Sequence, residues 1–423
     1  MRIVLVVHGF PPDRLGGTEL HTAALARNLA EAGHDIFVFA GNPCRPSEER
    51  RVRDRREGDV LVRTLDVPVD ADFAMELGAS WVRTEFERFL DEVGPDVVHV
   101  QHLLYLGLDL ISASKDRGLP VVVTLHDFWL QCPRIHPAPK DRHPFRGSLW
   151  GLACAWHHEG AFFRHALGTL RRPGLGRTVG RHVDRARVAR RQLELADRLI
   201  APSEFVRERF LRFGVSPEKV VTIAHGVEAG MRRRREPAGP TDFGFVGSIA
   251  PAKGVHVLCE AFARVRGPST LRIYGRSEDR DYLASLAPHF DSRIRYEGEF
   301  DPVDIDRVFD SFDVLVAPSL VEETLSMAVL EAQAFGRPVV ASRIGAIPEL
   351  VEHGRNGLLV PPGDARRLSE AIVRMQDASE VRRLQSAVER PASHRRYRRR
   401  MEAIYEALLP SREAANTRLL SCR

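Results

Sequence analysis

Short apolar runs alternate with helical segments along the first half of the chain. The first run, residues 3–7, is continuously apolar, as is typical of a strand buried on both faces. The next segment, residues 18–32, has apolar residues at helical spacing and ends at Gly33, a common helix terminator. Strands that alternate with helices predict a parallel sheet covered on both faces. The further strands predicted in this half are residues 36–39, 96–100, 121–125, 199–203 and 220–223.

A second alternating series follows a break in the pattern. Residues 228–241 include four consecutive arginines and then Pro237, Gly239 and Pro240, which predicts an interdomain linker. The sequence therefore predicts an α/β protein with two doubly wound domains, at residues 1–227 and 242–378. The strands predicted in the second domain are residues 243–246, 271–274, 294–296, 314–317, 338–341 and 357–360.

The end of the chain is predicted to hold one more helix. Tyr397, Met401, Ile404, Tyr405 and Leu408 recur at helical spacing over residues 393–409, so one face of this helix should be packed. The helix belongs to a predicted C-terminal segment of residues 379–410, and residues 411–423 are predicted to form a tail.

Composition agrees with an ordinary globular protein of more than one domain. The chain has 423 residues, 43% of them hydrophobic and 28% charged. No apolar run reaches the roughly 18 residues that would cross a bilayer, and the apolar run near Met1 is too short for a secretory signal. Five irregularly spaced cysteines without a Cys-x-x-Cys pair favour a reducing compartment and do not predict a zinc site. We therefore expect a cytoplasmic protein.

Arginine carries nearly all of the positive charge. The net charge is +5, and the chain has only four lysines, Lys115, Lys140, Lys219 and Lys253. The arginines can reflect composition alone or an anionic partner such as a phosphate or an acidic membrane. Residues 164–191 interleave arginines with apolar residues, so they form either a solvated face or a surface for anionic lipid.

Two glutamates eight positions apart are the most informative chemical feature. A predicted strand ends at Ala317, and we expect a helix from about Thr324, with Glu323 at its N-terminus and Glu331 inside it. Eight helical residues advance about 12 Å and return to within roughly 80° of the same face. Both carboxylates can then line one groove, and the first-turn amides of Thr324, Leu325, Ser326 and Met327 would face a phosphate.

Each glutamate could have a purely structural role instead of a functional one. Glu322 and Glu323 could simply complement the helix dipole. Glu331 lies among apolar residues, where a carboxylate without partners is costly, so a functional role is favoured.

A phosphate-binding loop is predicted after the first strand of the second domain. Residues 245–254 run from that strand through Gly247 and Ser248 to Lys253 at a helix start. Glycine allows close approach, and lysine supplies a point charge for phosphate.

The sequence resembles the retaining glycosyltransferases of family 4, which have the GT-B fold. The resemblance covers roughly residues 1–410, and its most specific part runs from Glu323 to Glu331. It implies that the C-terminal helix returns to the first domain across a two-domain fold with a cleft. The other matching segments are residues 16–19, 124–129, 201–205, 247–254, 274–275, 318–319, 336–340, 356–357 and 362–364.

The resemblance also implies roles for residues of the second domain. Glu331 would hold the ribose hydroxyls of a nucleotide sugar. Glu323 would lie beside the donor sugar near the reacting carbon. Lys253 would neutralise the pyrophosphate. Many family members have an arginine at the position of Ser248, so pyrophosphate binding here would depend more on Lys253 and on helix ends.

Residues of the first domain receive roles from the same resemblance. Gly16 and Gly17 would let the N-terminal loop approach the donor phosphate. His126 would reach the donor sugar from the carboxyl end of a strand, where open α/β sheets place ligands; otherwise it is an ordinary loop histidine.

The resemblance predicts a transferase that moves sugar from a nucleotide-diphosphate donor to a glycan or lipid-linked acceptor, with no cofactor and no metal. The resemblance implies a role in the synthesis of cell-surface polysaccharide or glycolipid. Peripheral contact of the protein with an anionic membrane would fit that role. The alternatives are a sugar-nucleotide epimerase of the same fold and a non-catalytic nucleotide-sugar-binding protein. A nicotinamide-dependent oxidoreductase is disfavoured because no Gly-x-Gly-x-x-Gly loop follows the first strand. Nucleic acid is not an expected partner.

Overall fold

The computed structural model describes residues 1–69, 78–133, 175–228 and 239–409, with the side chains of residues 175–179 excepted. The chain divides into two compact units. Within the described residues, the first unit comprises residues 1–133, 175–225 and 394–409, and the second comprises residues 226–228 and 239–393. Most of the predicted linker lies outside the described residues.

The first unit contains an eight-stranded sheet. All neighbouring strands are parallel except the edge pair β3 and β4, and the order is β3-β4-β2-β1-β5-β6-β7-β8. Its strands are β1 Arg2–Val7, β2 Asp35–Cys44, β3 Arg51–Glu57, β4 Val60–Pro68, β5 Val97–Val100, β6 Val121–Thr124, β7 Arg198–Ala201 and β8 Val220–Thr222.

Helices connect these strands. They are α1 Gly17–Glu31, α2 Ser80–Val93, α3 Leu110–Asp116, α4 Leu175–Leu195, α5 Glu204–Phe213 and, at the end of the chain, α13 His394–Leu408. The predicted strands are confirmed to within two residues at each end, except that β2 continues five residues beyond the predicted end at residue 39. The continuous apolar runs of β1, β5 and β6 are buried, as expected for central strands.

The second unit contains a six-stranded parallel sheet in the order β11-β10-β9-β12-β13-β14. Its strands are β9 Phe243–Val246, β10 Leu271–Tyr274, β11 Ile294–Gly298, β12 Val314–Ala317, β13 Val339–Ser342 and β14 Gly357–Val360. Its helices are α6 Val255–Ala263, α7 Arg280–Leu286, α8 Ile305–Asp310, α9 Met327–Ala334, α10 Ile347–Leu350, α11 Ala365–Arg374 and α12 Ala378–Ser386. The predicted α/β fold with two parallel sheets is confirmed.

The C-terminal helix α13 packs on the first unit, as the GT-B resemblance implied. Tyr397, Met401 and Tyr405 are buried in a core cluster that also contains Ile3 and Leu5 of β1. The hydroxyl of Tyr405 lies 2.6 Å from Nδ1 of His99, which is buried on β5.

Both sheets reverse their strand order at one internal point. In the first sheet the reversal lies between β1 and β5, and in the second it lies between β9 and β12. Loops diverge at such a point and leave a crevice at the carboxyl ends of the strands, where open α/β sheets bind ligands. In the described residues, we find no helix with the length and apolarity needed to span a membrane.

Candidate functional site

The loops after β9 and β12 meet at the reversal point of the second sheet. The N–H of Leu320 donates to the carbonyl of Ala252 at 2.8 Å. Gly254 adopts a left-handed conformation with φ of +71°, and a Cβ at this position would lie 2.1 Å from the carbonyl oxygen of Pro318. The two loops can be this close only because residue 254 is glycine.

Lys253 and Glu323 form an ion pair where these loops meet. Nζ of Lys253 lies 2.7 Å from Oε1 of Glu323, and the hydroxyl of Ser319 donates to the same oxygen at 2.6 Å. The Glu323 side chain is only 9% exposed, whereas that of Lys253 is 27% exposed. A buried carboxylate needs such partners, since an unpaired one would be costly to desolvate.

The backbone of Glu323 is held by the loop after β13. The N–H of Ala346 donates to the carbonyl of Glu323 at 2.9 Å. Gly345, with φ of +57°, passes so close that a Cβ there would lie 2.4 Å from that carbonyl oxygen. The position of the Glu323 carboxylate is therefore set by three loops of one sheet edge.

The prediction that Glu323 and Glu331 share one helix is wrong. Helix α9 begins at Met327, after an N-cap at Ser326, so Glu323 precedes it. Its first backbone bond is from the N–H of Leu330 to the carbonyl of Ser326. The first-turn amides are consequently those of residues 327–329, and the amides of residues 324–326 belong to the segment before the helix.

Glu331 does lie inside α9. Glu331 is mostly buried, and we find no hydrogen bond or ion pair to its carboxylate among the described residues. Burial raises the pKa of Glu331 to about 7. A carboxylate left without a protein donor can accept hydrogen bonds from a ligand's hydroxyl groups.

The other predicted contacts of the second unit lie on the same loops. Gly247 follows β9 with φ of +146°, and a Cβ on Gly275 would lie 1.8 Å from the carbonyl oxygen of Gly247. Ser248 is exposed. Leu325 is buried in a small apolar cluster, so only its backbone could meet a ligand.

In the first unit, the loop from β1 to α1 is organised around Glu19. This carboxylate is nearly buried and lies 3.3 Å from Nε2 of His8 and 3.8 Å from Nε of Arg14. A Cβ on Gly16 would lie 2.5 Å from Oε2 of Glu19, whereas a Cβ on Gly17 would meet no atom of the described residues within 4 Å. Gly16 is thus needed by the loop itself, and Gly17 leaves open space for approach.

His126 follows β6 at the carboxyl edge of the first sheet. Its Nε2 lies 2.8 Å from Oε1 of Gln101. Its ring lies 5.2 Å from that of His21 and 4.9 Å from that of His225. Burial holds the pKa of His126 well below its usual range, and the neighbouring His225 lowers that pKa further. The imidazole is therefore neutral at pH 7.

Sequence reasoning missed His21, His225 and Glu19 as members of this edge. Glu19 was considered only as part of the matching segment of residues 16–19. Helix α1 brings His21 to the edge, and the segment after β8 brings His225, so their proximity depends on strand order. A signal was present for Glu19 and His21, which lie near the start of the helix that follows β1 at the reversal point, but His225 follows the edge strand β8 and gave no such signal.

The predicted arginine-rich surface is described only in part. Residues 164–174 lie outside the described residues. In α4, Arg185 is not on a solvated face: its guanidinium is buried over the ring of Trp129 at 4.9 Å. Contact with anionic lipid stays a prediction.

Two α/β units with parallel sheets and loop sites at their carboxyl edges are the architecture of the GT-B fold. The chain belongs to glycosyltransferase family 4: the model described as "Glycosyltransferase Family 4" matches residues 15–230, and the model described as "Glycosyl transferases group 1" matches residues 240–377.

Relatives agree with this assignment. Glycogen synthase from Mycobacterium tuberculosis is 28% identical over 93% of this chain and 91% of its own length. The MMP alpha-(1->4)-mannosyltransferase from Mycolicibacterium hassiacum is 28% identical over 91% of this chain and 92% of its own length.

Solved structures share the fold. The Anabaena protein HepE in complex with UDP-glucose superposes with a TM-score of 0.67 at 19% identity, covering 96% of this chain and 100% of that chain. Sucrose-phosphate synthase from Thermosynechococcus elongatus superposes with a TM-score of 0.65 at 21% identity, covering all of both chains.

Proposed function

We propose that this glycosyltransferase moves a sugar from a nucleotide-diphosphate sugar to a glycan or lipid-linked acceptor, with retention at the anomeric carbon. The main supporting observation is the Lys253–Glu323 pair at the reversal point of the second sheet. The carboxylate of Glu331, which has no partner among the described residues, lies in the adjacent helix. The relatives named for sugar transfer and the HepE complex with UDP-glucose support a nucleotide-sugar donor. Synthesis of cell-surface polysaccharide or glycolipid is the proposed setting.

Lys253 and Glu323 would act in sequence on the donor. Without a donor, the ammonium of Lys253 pairs with Glu323. A diphosphate carries more charge than one carboxylate and would draw the more exposed Lys253 to itself. Glu323 would then keep its bond from Ser319 and turn its second oxygen to the donor sugar.

Departure of the nucleoside diphosphate would be helped electrostatically. Lys253 and the amides at the start of α9, residues 327–329, would stabilise the charge that develops on the leaving phosphate. This scheme uses no cofactor and no divalent metal. His126 would face the donor sugar, and Gly17 would give the phosphate access to the N-terminal loop. Retention would follow a same-face displacement.

The test is a donor panel with the Glu323→Gln variant. Wild-type protein is incubated with UDP-, GDP- and ADP-glucose and the corresponding mannose donors, and the released nucleoside diphosphate is measured. We expect slow donor hydrolysis for one nucleotide, and we expect Glu323→Gln to lower it at least tenfold. The thermal shift produced by the nucleoside diphosphate should be retained, because the amide cannot compete for Lys253.

Glu278→Gln is the matched control, since Glu278 is exposed in the same unit. If Glu323→Gln retained the wild-type turnover, Glu323 would have no role in the reaction. Nucleotide binding without any hydrolysis or transfer would indicate a non-catalytic nucleotide-sugar-binding protein instead.

A further inference from the structure

Three histidines converge on one point of the first unit. His21 comes from α1, His126 from the loop after β6, and His225 from the segment after β8. One ring nitrogen of each lies within 4.8 Å of the other two. The rings of His21 and His225 are 3.9 Å apart between centroids, and both residues are only 4% exposed.

Within the part of the chain that the structure describes, three buried nitrogens of this cluster have no hydrogen-bond partner. They are Nδ1 and Nε2 of His21 and Nδ1 of His225. An unsatisfied buried polar atom costs roughly 1–3 kcal/mol, so three of them on two adjacent rings call for an occupant. Both nitrogens of His21 are without a partner among the described residues, although its ring is nearly fully buried.

The hydrogen bonds around Gln101 fix the tautomer of His126. The Gln101 amide nitrogen donates to Nε2 of His99 at 3.0 Å, so its oxygen must face His126. Nε2 of His126 therefore carries the proton and donates to that oxygen at 2.8 Å, which leaves the lone pair on Nδ1. A ligating histidine is held in the same way when its second nitrogen donates to a protein oxygen.

The charge state of the cluster also suits a cation. Burial holds the pKa of His21 well below its usual range and lowers that of His225 to about 3. Neutral imidazole is the form that ligates metals, and no proton has to be displaced near pH 7.

We propose that His21, His126 and His225 bind one Zn²⁺ ion or a similar divalent transition-metal ion. Zn–N bonds of about 2.0–2.1 Å in tetrahedral geometry place three nitrogens about 3.4 Å apart, so modest inward ring movements close the site. Three imidazoles leave the fourth position for water. Nitrogen ligands select zinc, cobalt or nickel over magnesium, which prefers oxygen.

This site shares His126 with the proposed donor chemistry, which uses no metal and whose charged groups lie on loops of the second unit. In the metal-bound form both ring nitrogens of His126 are in use, so its proposed contact with the donor sugar belongs to the metal-free form. Zinc binding is measured without a donor, so failure of the metal proposal is distinguishable from failure of the proposed function. Sequence reasoning considered cysteine pairs alone and had no means of bringing these three histidines together.

Metal binding by untagged, chelator-treated protein tests the proposal. After equilibration with Zn²⁺ and gel filtration, we expect close to one zinc per chain by elemental analysis. Co²⁺ should give the intense visible bands of a tetrahedral nitrogen site, and Mg²⁺ at the same concentration should give no thermal shift.

His21→Gln should weaken Zn²⁺ affinity at least a hundredfold and abolish the Co²⁺ bands. His289→Gln removes a histidine outside the cluster and should match the wild type. His225→Asn replaces His21→Gln if the latter does not fold. Wild-type protein that retains no zinc, or His21→Gln that retains as much as wild type, would overturn the proposal.

Discussion

At the scale of single residues, the sequence predicted which side chains carry charge at the site but not how they pair. Lys253 and Glu323 were given separate roles, and the structure joins them through one 2.7 Å contact. The pairing could not be predicted because the residues are 70 positions apart and meet only through the order of β9 and β12. Glu331 was singled out correctly as a carboxylate among apolar neighbours, which is a local property of the sequence.

Glu331 makes the stability of the protein dependent on pH. Its pKa is about 7 in the folded chain and near 4.5 in the unfolded chain. The folded state therefore holds a proton that the unfolded state has lost between these values. The favourable contribution of the protonated form is complete below about pH 4.5 and is lost as the pH rises through 7.

Replacement of Glu331 by Gln should therefore raise stability at pH 8 and change it little at pH 5. One pKa unit corresponds to about 1.4 kcal/mol, and allowance for partial exposure leaves an expected gain of about 1–2 kcal/mol. The melting temperature of the free protein at the two pH values measures this difference. The same variant should lose most of its nucleotide-dependent thermal shift at pH 8, since the ribose hydroxyls would lose a charged acceptor. A gain of equal size at both pH values would contradict the assigned cause.

At the scale of elements, continuous apolar runs were predicted well and polar edge elements were not. The pair β3 and β4 was missed because β3, residues Arg51–Glu57, is largely exposed and rich in arginine. A signal for β4 was nevertheless available. Gly58 has φ of +58° in the turn before it, and burial alternates along its first residues, with Val60 and Val62 buried and Leu61 and Arg63 half-buried.

The start of α9 was predicted three residues too early for a different reason. Residues 324–326 have no local feature that forbids a helix. The backbone of Glu323 is instead tied to the loop after β13, and Leu325 is drawn into an apolar cluster with Val227, so tertiary contacts delay the helix. Helix propensity depends on the local sequence and does not reflect such tertiary contacts.

Gly254 permits the close contact between the loops after β9 and β12, so Gly254→Ala should disrupt the site. The methyl group would overlap the carbonyl of Pro318, and the left-handed backbone would add strain. Together we expect about 2–4 kcal/mol of destabilisation and a nucleotide affinity at least tenfold weaker. Thermal melting with and without the nucleoside diphosphate measures both effects.

Gly298→Ala is the matched control for backbone strain. Gly298 has φ of +82° in the same unit, but a Cβ there would meet nothing within 4 Å. The Gly298→Ala variant should lower stability by about 1 kcal/mol and leave nucleotide affinity unchanged. If the two variants changed stability and nucleotide affinity equally, the close contact between Gly254 and Pro318 would not be the cause of the effect.

At the scale of the whole molecule, each unit has its own apolar core. One large cluster of the first unit includes residues from β1, β5 and α13, whereas the clusters of the second unit contain no residue of α13 among the described residues. The last described helix, α13, therefore completes the core of the unit that contains β1. The periodicity of residues 393–409 predicted a packed face, and only the family resemblance predicted which domain it packs against.

Met401→Ala should consequently loosen the first unit selectively. Met401 is fully buried among apolar residues of β1 and its neighbours, and truncation of such a side chain costs about 2–5 kcal/mol. Hydrogen exchange followed by mass spectrometry should show faster exchange in peptides that cover β1, β5 and β6. Peptides that cover β9 and β12 serve as the internal reference and should exchange at the wild-type rate. Glu406→Ala, at an exposed position of the same helix, should leave both sets unchanged. Faster exchange throughout both units in Met401→Ala would mean that the two cores unfold together, and the independent-core interpretation would be wrong.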